Sequence, residues 1–286
     1  YGGFDGTETL LSQRDWVAHI TILSGDISPT SDDSYHVVYG TNLNSSTILD
    51  GFTIRDGDID DAASSVYGLK GAGVLLTSSG IATEPVLANL IITDNNVSNN
   101  DGGGMALLEA NPSISFCTFL DNFGEIDGGG IYATGNHTLR ITHSQFIDNS
   151  AYDYGGGISS EADRLEIENC TFDDNYAETG GGGAISVENN TDLSITNSTF
   201  YGNRVDDGSG GTLSLGKPFL PTGTVSSRIF NSIFWDNGRE PGAFAVDPGI
   251  VGHIYGLSMR YTDYEGGWPG AGNLNLNPQF VATASV

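Results

Sequence analysis

Four aspartates in the segment RDGDIDDA have the type and spacing that calcium binding requires. They are Asp56, Asp58, Asp60 and Asp61. Carboxylate oxygens at alternate positions of a loop suit Ca²⁺, which prefers hard oxygen ligands. The glutamate that closes an EF-hand loop is absent, so the segment is either a calcium site or a solvated acidic loop. Calcium is the one cofactor that the sequence predicts.

A glycine run follows acidic and amide residues in segments such as DDNYAETGGGGAI. Such a run can bind phosphate through its backbone N–H groups. Related segments begin at Asp94, Asp121, Asp148 and Gly202, however, and no Lys-Ser/Thr pair follows the glycines. A phosphate loop occurs once in a domain, whereas glycine repeated at one corner allows positive φ and close approach of neighbouring chains. The glycines are therefore predicted to form structural turns.

A repeat with a period near 27 residues runs through the chain. Successive units from Ile92 to Phe200 are 27, 27, 26 and 28 residues apart. The apolar residue that marks each unit, called the anchor below, is Ile54, Ile92, Phe119, Phe146, Phe172, Phe200 or Phe234. An asparagine lies three positions after most anchors, at Asn95, Asn122, Asn149, Asn175, Asn203 and Asn237. Flanking segments such as LRITHSQF alternate apolar and polar residues, which is typical of short half-buried strands.

These features predict an all-β fold, a parallel β-solenoid with about 26–28 residues per coil. Successive coils should lie about 4.8 Å apart, so that the anchors and the asparagines each form an internal column. We expect one domain over residues 1–286, with irregular coils at 1–47, regular coils at 48–237, and divergent coils with an exit segment at 238–286.

An acidic column is predicted two positions after the anchor, at Asp94, Asp121, Asp148, Asp174 and Asp236. Carboxylates about 4.8 Å apart repel one another by roughly 1 kcal/mol per neighbour in water-like surroundings. Two interpretations stay open: each side chain accepts from the backbone amides of its own turn, or cations bridge the column.

Two further columns carry residue types that are often catalytic. His143 lies three positions before its anchor in a column of mostly Asn, and we expect it to be a stacking member of that column. Cys117 and Cys170 share the inward parity of the anchors but lie two coils apart, too far for a disulfide. Both are predicted to be buried free thiols.

The charge balance limits the partners. The chain has 36 acidic and 10 basic residues and a formal net charge of −26. Nucleic acid and anionic membranes require Lys and Arg, so we expect no nucleic-acid partner. No apolar run approaches the ~20 residues of a membrane span, so we expect no membrane insertion.

Several segments resemble those of bacterial secreted right-handed parallel β-helix proteins. They are YGGFDGTETLLSQRDWVAHITILSGDI, SSTILDGFTIRDG, the repeated F-x-x-N…GGG-I unit and YTDYEGGWPGAGNLNLNPQFV. The repeats resemble those of polymorphic outer-membrane proteins, and the ends resemble large surface proteins with C-terminal sorting domains. The resemblance spans nearly the whole chain and implies a right-handed helix and an extracellular or bacterial cell-surface location. It implies no particular reaction.

The sequence favours a non-catalytic surface module, structural or adhesive, such as a fibre subunit that stacks end to end. Its expected partner is a second copy, assembled end to end or laterally, or a cell-surface glycan. The alternative is a polysaccharide-active enzyme, a lyase or glycoside hydrolase of the pectate-lyase-like type. Such a lyase needs Arg or Lys beside a calcium cluster, and the ten basic residues form no closely spaced pair. A groove that gathers a basic residue, carboxylates and aromatic rings would favour the enzyme.

Overall fold

The computed structural model describes residues 1–27, 34–60, 70–80, 83–187, 191–207, 210–216, 227–238, 250–252 and 257–280. Within these ranges the strands form three parallel sheets that wind around one core. The only helix in them is a 3-10 turn at Leu11–Gln13. The prediction of an all-β parallel solenoid is confirmed.

Sheet A contains the anchor residues and has nine strands. They are β1 (Thr21–Ser24), β4 (Phe52–Arg55), β8 (Ile91–Thr93), β12 (Thr118–Leu120), β15 (Gln145–Ile147), β18 (Thr171–Asp173), β22 (Thr199–Tyr201), β26 (Ile233–Trp235) and β29 (Asp263–Tyr264). Each three-residue strand turns its middle side chain inward, as β12, β15 and β18 show.

Sheet B has 14 strands in two halves. The first half has β2 (Val38–Thr41), β6 (Val74–Thr77), β10 (Met105–Leu108), β20 (Ile185–Val187), β24 (Leu213–Leu215) and β27 (Ile250–Gly252). The second half has β3 (Ile48–Asp50), β7 (Val86–Ala88), β11 (Ser113–Ser115), β21 (Asp192–Thr196), β25 (Arg228–Phe230) and β28 (Ser258–Arg260). Two long strands, β14 (Ile131–Thr142) and β17 (Ile158–Glu168), run through both halves. Their register shifts between Gly135 and Thr138, which marks a β-bulge.

Sheet C is a narrow third sheet of six two-residue strands. They are β5 (Asp58–Ile59), β9 (Asn96–Val97), β13 (Phe123–Gly124), β16 (Ser150–Ala151), β19 (Tyr176–Ala177) and β23 (Arg204–Val205). The sheet is this narrow because a glycine corner follows it in most coils. Gly128 has φ 67°. A Cβ at Gly129 would lie 2.2 Å from the Ser150 carbonyl oxygen, so only glycine fits between these coils.

The anchors form a continuous internal stack of phenylalanine rings. Adjacent ring centroids are 4.7 Å apart from Phe119 through Phe146 and Phe172 to Phe200, and 4.4 Å apart between Phe200 and Phe234. The rings are nearly parallel, because each follows the strand spacing of the sheet that holds it. All five are buried at 0–1% exposure.

The asparagines three positions after the anchors form a second internal column. Asn149 Nδ2 donates to Asn175 Oδ1 at 3.0 Å, and Asn122 Nδ2 donates to Asn149 Oδ1 at 2.9 Å. The same contacts continue to Asn95 on one side and to Asn203 and Asn237 on the other. This asparagine column links sheet A to sheet C along the whole stack.

Two left-handed corners bracket the strands of sheet A from β4 to β29. In the central coil they are His143, with φ 51°, and Asp148, with φ 52°. The other members of both columns share this conformation, which Asn, Asp and Gly tolerate better than other residues. The column three positions before the anchors, called the amide column below, and the acidic column two positions after them therefore follow from the turn geometry. Strands of sheets A and B lie in all three parts of the expected domain division, whereas the described strands of sheet C lie within residues 48–237; the division stays a prediction.

Candidate functional site

An open groove crosses the outer face of sheet B. It consists of three adjoining cavities with volumes of about 390, 460 and 390 Å³. Ser78 and Glu109 line both the first and the middle cavity, and Glu84 and Asn111 line both the middle and the third. The three cavities are therefore one continuous cleft, each part of which has the size of a small-ligand pocket.

Short polar side chains (Ser, Thr and Asn) make up nine of the 19 residues that line the groove. The first cavity adds Lys70, Thr77, Leu108, Tyr132 and Thr134. The middle cavity adds Gly80, Thr83, Asn136 and His137. The third cavity adds Ser45, Val86, Pro112, Ser113, Thr138 and Arg140.

The groove exists because neighbouring coils cross sheet B differently. Residues 78–80 and 83–85 belong to the connection from β6 to β7, and residues 109–112 join β10 to β11. In the next coil β14 runs straight through and makes the bulge at Gly135. The connections form one wall, and the continuous strand forms the floor beside them.

Glu109 is held in the middle of the groove by an unusual backbone conformation. Its φ is 57°, a left-handed value that is uncommon for glutamate. Its N–H donates to the Thr134 carbonyl oxygen at 2.9 Å. The carboxylate lies against Gly135, where an added Cβ would be 2.8 Å from Glu109 Oε2. A strained residue beside a β-bulge is a common arrangement at functional sites.

Both cations of the groove are already paired. Lys70 forms an ion pair with Asp101 and lies over the Tyr132 ring, 4.2 Å from its centroid. Arg140 pairs with Glu166 at 2.5 Å, the cross-coil partner. Among the described residues, neither Glu84 nor Glu109 forms a salt bridge with Lys or Arg. The middle of the groove is therefore negative.

His137 contributes a neutral ring to the middle cavity. Burial lowers the pKa of His137, although Glu109 and Asp163 and the carbonyl groups of His137 and Thr134 oppose this. No partner in the described part of the chain makes a hydrogen bond of good geometry with either ring nitrogen. The ring is thus uncharged near neutral pH.

Comparison with known proteins places the chain in a family. Residues 39–237 match the family model described as "Right handed beta helix region". The chain belongs to the right-handed β-helix family. This agrees with the handedness and repeat type that the resemblance implied, whereas the likeness to polymorphic outer-membrane proteins stays a prediction.

A curated relative of this β-helix is the "Probable autotransporter YfaL" of Escherichia coli (strain K12). It is 33% identical over 132 residues, a match that covers 39% of this chain and 10% of that protein. No solved structure matches. No helix in the described ranges is long and apolar enough to cross a bilayer. Together with the family match, the relative supports a surface-associated β-helix protein.

Of the four predicted calcium aspartates, the three in the described part of the chain do not come together in one cluster. Asp56 Oδ2 accepts from Ser24 at 2.8 Å and pairs with Arg55 at 3.1 Å, and Asp58 Oδ1 accepts from Asn96 at 2.7 Å. Asp60 is exposed, and Asp61 lies outside the described residues. Among the residues that the structure describes, one group of three metal-ligand side chains has its ligand atoms within 4.8 Å of one another. It consists of Asp5, Glu8 and His19. Calcium binding stays a prediction.

Titration of the acidic column gives a test of its charge. Burial raises the pKa of Asp148, and the carboxylates of Asp121 and Asp174 raise it further. Because the raised pKa belongs to the folded state, the ionised group destabilises the β-helix above that pKa. This destabilisation disappears as the pH falls towards the ordinary value of 3.8.

We therefore expect Asp148→Asn to stabilise the protein at pH 7, by up to about 1 kcal/mol per neighbouring carboxylate. Asparagine also tolerates the left-handed backbone at this position. The gain in melting temperature should shrink as the pH is lowered to about 4. Asp207→Asn, at an exposed acid outside the column, is the control.

If cations bridge the column, added calcium at pH 7 should raise the melting temperature of the wild type more than that of Asp148→Asn. A variant less stable than wild type at pH 7 would contradict the repulsion.

His143 and the amide column occupy an exposed ridge. The His143 ring stacks on Phe116 at 4.8 Å, and its Nε2 lies 3.2 Å from Asn169 Nδ2. Asn231 donates to Asn197 at 2.7 Å in the same column. These contacts place His143 in a stacking role.

Both cysteines are buried and free, as predicted. Burial raises the pKa of the Cys117 thiol to about 12 and that of Cys170 to about 11. Neither thiol should therefore react with a thiol reagent at pH 8 in the folded protein, whereas both should react after unfolding in guanidinium. A colorimetric thiol count made before and after denaturation measures this, and labelling of the native protein within minutes would disprove it.

Proposed function

We propose that the β-helix is a non-catalytic module at the bacterial cell surface that acts as a stiff support and carries an adhesive face. The unbroken internal stack is the main support for this proposal. Five rings from Phe119 to Phe234 and the parallel asparagine column fix each coil to the next. Coils joined in this way resist bending, because each contact is repeated along the axis.

The relative adds support for the location. Its printed name describes a probable autotransporter, and the matched part is similar to this chain. We propose, correspondingly, that the present β-helix is exported to an extracellular or cell-surface position.

The fibre is proposed to grow by end-to-end assembly of copies of this chain. Within the described ranges, β1, β2 and β5 each pair with a neighbouring strand on one side only. Apolar side chains are exposed near them, including Val17, Ile20 and Ile22. A second copy could add a coil at this edge. Sedimentation velocity over a range of protein concentrations should then show growing assemblies.

Surface display tests the adhesive role. Non-adherent bacteria that display the chain should be retained on glycan-coated surfaces, and cells that display an unrelated β-helix of similar length should not. Equal retention of both would disprove the proposal.

A second candidate function is polysaccharide cleavage. It is favoured by Glu84 and Glu109, two carboxylates that line the same cavity. Two carboxylates across a groove are the usual catalytic pair of glycoside hydrolases. Release of reducing ends or unsaturated products from neutral or uronic glycans, abolished by Glu109→Gln, would establish the enzyme and overturn the non-catalytic proposal.

A further inference from the structure

We infer that the groove on the outer face of sheet B is a binding site for an uncharged, hydroxyl-rich glycan, with Glu109 as its central hydrogen-bond acceptor. This inference deepens the proposed adhesive role and rests on it, because an adhesive module needs a ligand site. The site is built by residues 78–80, 83–85 and 109–112 and the bulge of β14.

The floor of the groove does not suit the addition of a peptide strand. β10 pairs with both β6 and β14, and β11 pairs with both β7 and β14. Their backbone N–H and C=O groups are therefore already used in the sheet. A peptide that binds by strand addition requires a free sheet edge, which this face lacks. Recognition here depends on side chains.

The side chains that line the groove match the hydroxyl groups of a sugar. Thr77, Ser78, Asn111, Thr134 and Asn136 offer short donors and acceptors along the cleft. A glycan presents a comparable density of donors and acceptors on every ring. Leu108 and Val86 add apolar surface for the C–H faces of the rings.

The charge of the groove selects against acidic glycans. Glu84 and Glu109 line the middle cavity, where His137 is neutral. The cations at the two ends, Lys70 and Arg140, form ion pairs with Asp101 and Glu166, and Glu166 also pairs with Arg164. A uronate or sulfate ester would meet net negative charge here, as it would on the rest of a chain with a net charge of −26.

The backbone conformation fixes the position of the Glu109 side chain. Its left-handed φ of 57° directs the side chain onto Gly135, and the absence of a Cβ there makes room for the carboxylate. A carboxylate that accepts from two neighbouring hydroxyl groups forms charge-assisted hydrogen bonds, which are stronger than neutral ones. The strain at Glu109 therefore has a function if the carboxylate is needed at this point of the groove.

Isothermal titration of the full chain tests the inference. The probes are cellohexaose, mannohexaose and N-acetylchitohexaose, with a hexagalacturonate and a short threonine-rich peptide for comparison. At least one neutral probe should bind, and neither comparison probe should. Glu109→Gln and Glu84→Gln should each weaken binding about tenfold to a hundredfold, the loss expected for a hydrogen bond to a charged group.

Two further variants separate binding from folding. Glu178→Gln, at an exposed acid beside sheet C, should leave the affinity within about twofold and serves as the matched control. Gly135→Ala would place its Cβ 2.8 Å from Glu109 Oε2 and 2.9 Å from Glu109 Cα on a backbone with φ 128°, so it should lower both the affinity and the melting temperature, whereas Glu109→Gln should lower the affinity alone.

Several results would overturn the inference. They are failure of every neutral probe to bind up to millimolar concentration, affinity unchanged in both glutamine variants, and preferential binding of the uronate or the peptide. If displayed cells still adhere in such a case, the adhesive role survives and only the site assignment fails. If a bound neutral glycan is cleaved, the site assignment stands and the non-catalytic function fails.

Discussion

Replacing Asn149 by alanine should lower the free energy of unfolding by roughly 3–5 kcal/mol. The side chain is fully buried, and its Oδ1 accepts from Asn122 Nδ2 at 2.9 Å. Its Nδ2 donates to the Phe119 carbonyl oxygen at 2.9 Å and to Asn175 Oδ1 at 3.0 Å. Alanine leaves these buried partners unsatisfied, and each unsatisfied group costs about 1–3 kcal/mol. Guanidinium unfolding followed by circular dichroism measures the loss.

Asn96→Ala is the matched control for this experiment. Asn96 lies on sheet C, is half-buried, and has one side-chain hydrogen bond, to Asp58 Oδ1 at 2.7 Å. Its replacement should cost no more than about 1 kcal/mol. The double variant Asn122→Ala with Asn149→Ala should lose less than the sum of the single losses, because both remove the bond that joins them. Strict additivity would show that the column acts as separate residues.

The sequence predicted which residues form the asparagine column but only part of how they bond. Constant spacing aligns Asn122, Asn149 and Asn175, because residues one coil apart become neighbours in space. The bonds from Nδ2 to carbonyls such as that of Phe119 could not be predicted. They depend on how sharply the chain turns between sheet A and sheet C, which the repeat period does not specify.

The acidic and amide columns show a different limit. Spacing identified Asp148 and His143 as members of repeated columns. Interpretation by side-chain chemistry left two roles open for the acidic column, acceptance from turn amides or cation bridging, and predicted stacking for His143. The shared physical feature is a backbone φ of 51–52° at Asp148 and His143. Phe116 hid that feature, because a bulky aromatic residue does not favour a left-handed conformation.

The groove could not be predicted from the repeat at all. Glu84 and Glu109 lie in connections between the halves of sheet B, and His137 lies beside the bulge in β14. These segments differ in length from coil to coil, so their residues have no constant distance from an anchor. A repeat predicts what successive coils share, and a binding site here arises where one coil departs from its neighbours.

Phe172→Ala is the second change for which we expect a large effect. The ring is fully buried and stacks on Phe146 and Phe200, with both centroid distances 4.7 Å. Its removal should cost about 3–5 kcal/mol through the cavity that it leaves. The same loss should lower the melting temperature by roughly 5–15 °C for a chain of this size.

Phe230→Ala and Phe172→Leu show whether the stack itself carries this stability. Phe230 is 46% exposed, so the same substitution there should cost about 1 kcal/mol or less. Phe172→Leu keeps apolar volume but loses two ring contacts, and its cost should fall between the other two. Because each coil contacts only its neighbours, the cavity weakens both interfaces of one coil and should broaden the unfolding transition. A loss at Phe172 no larger than that at Phe230 would mean that the sheets, rather than the rings, hold successive coils together.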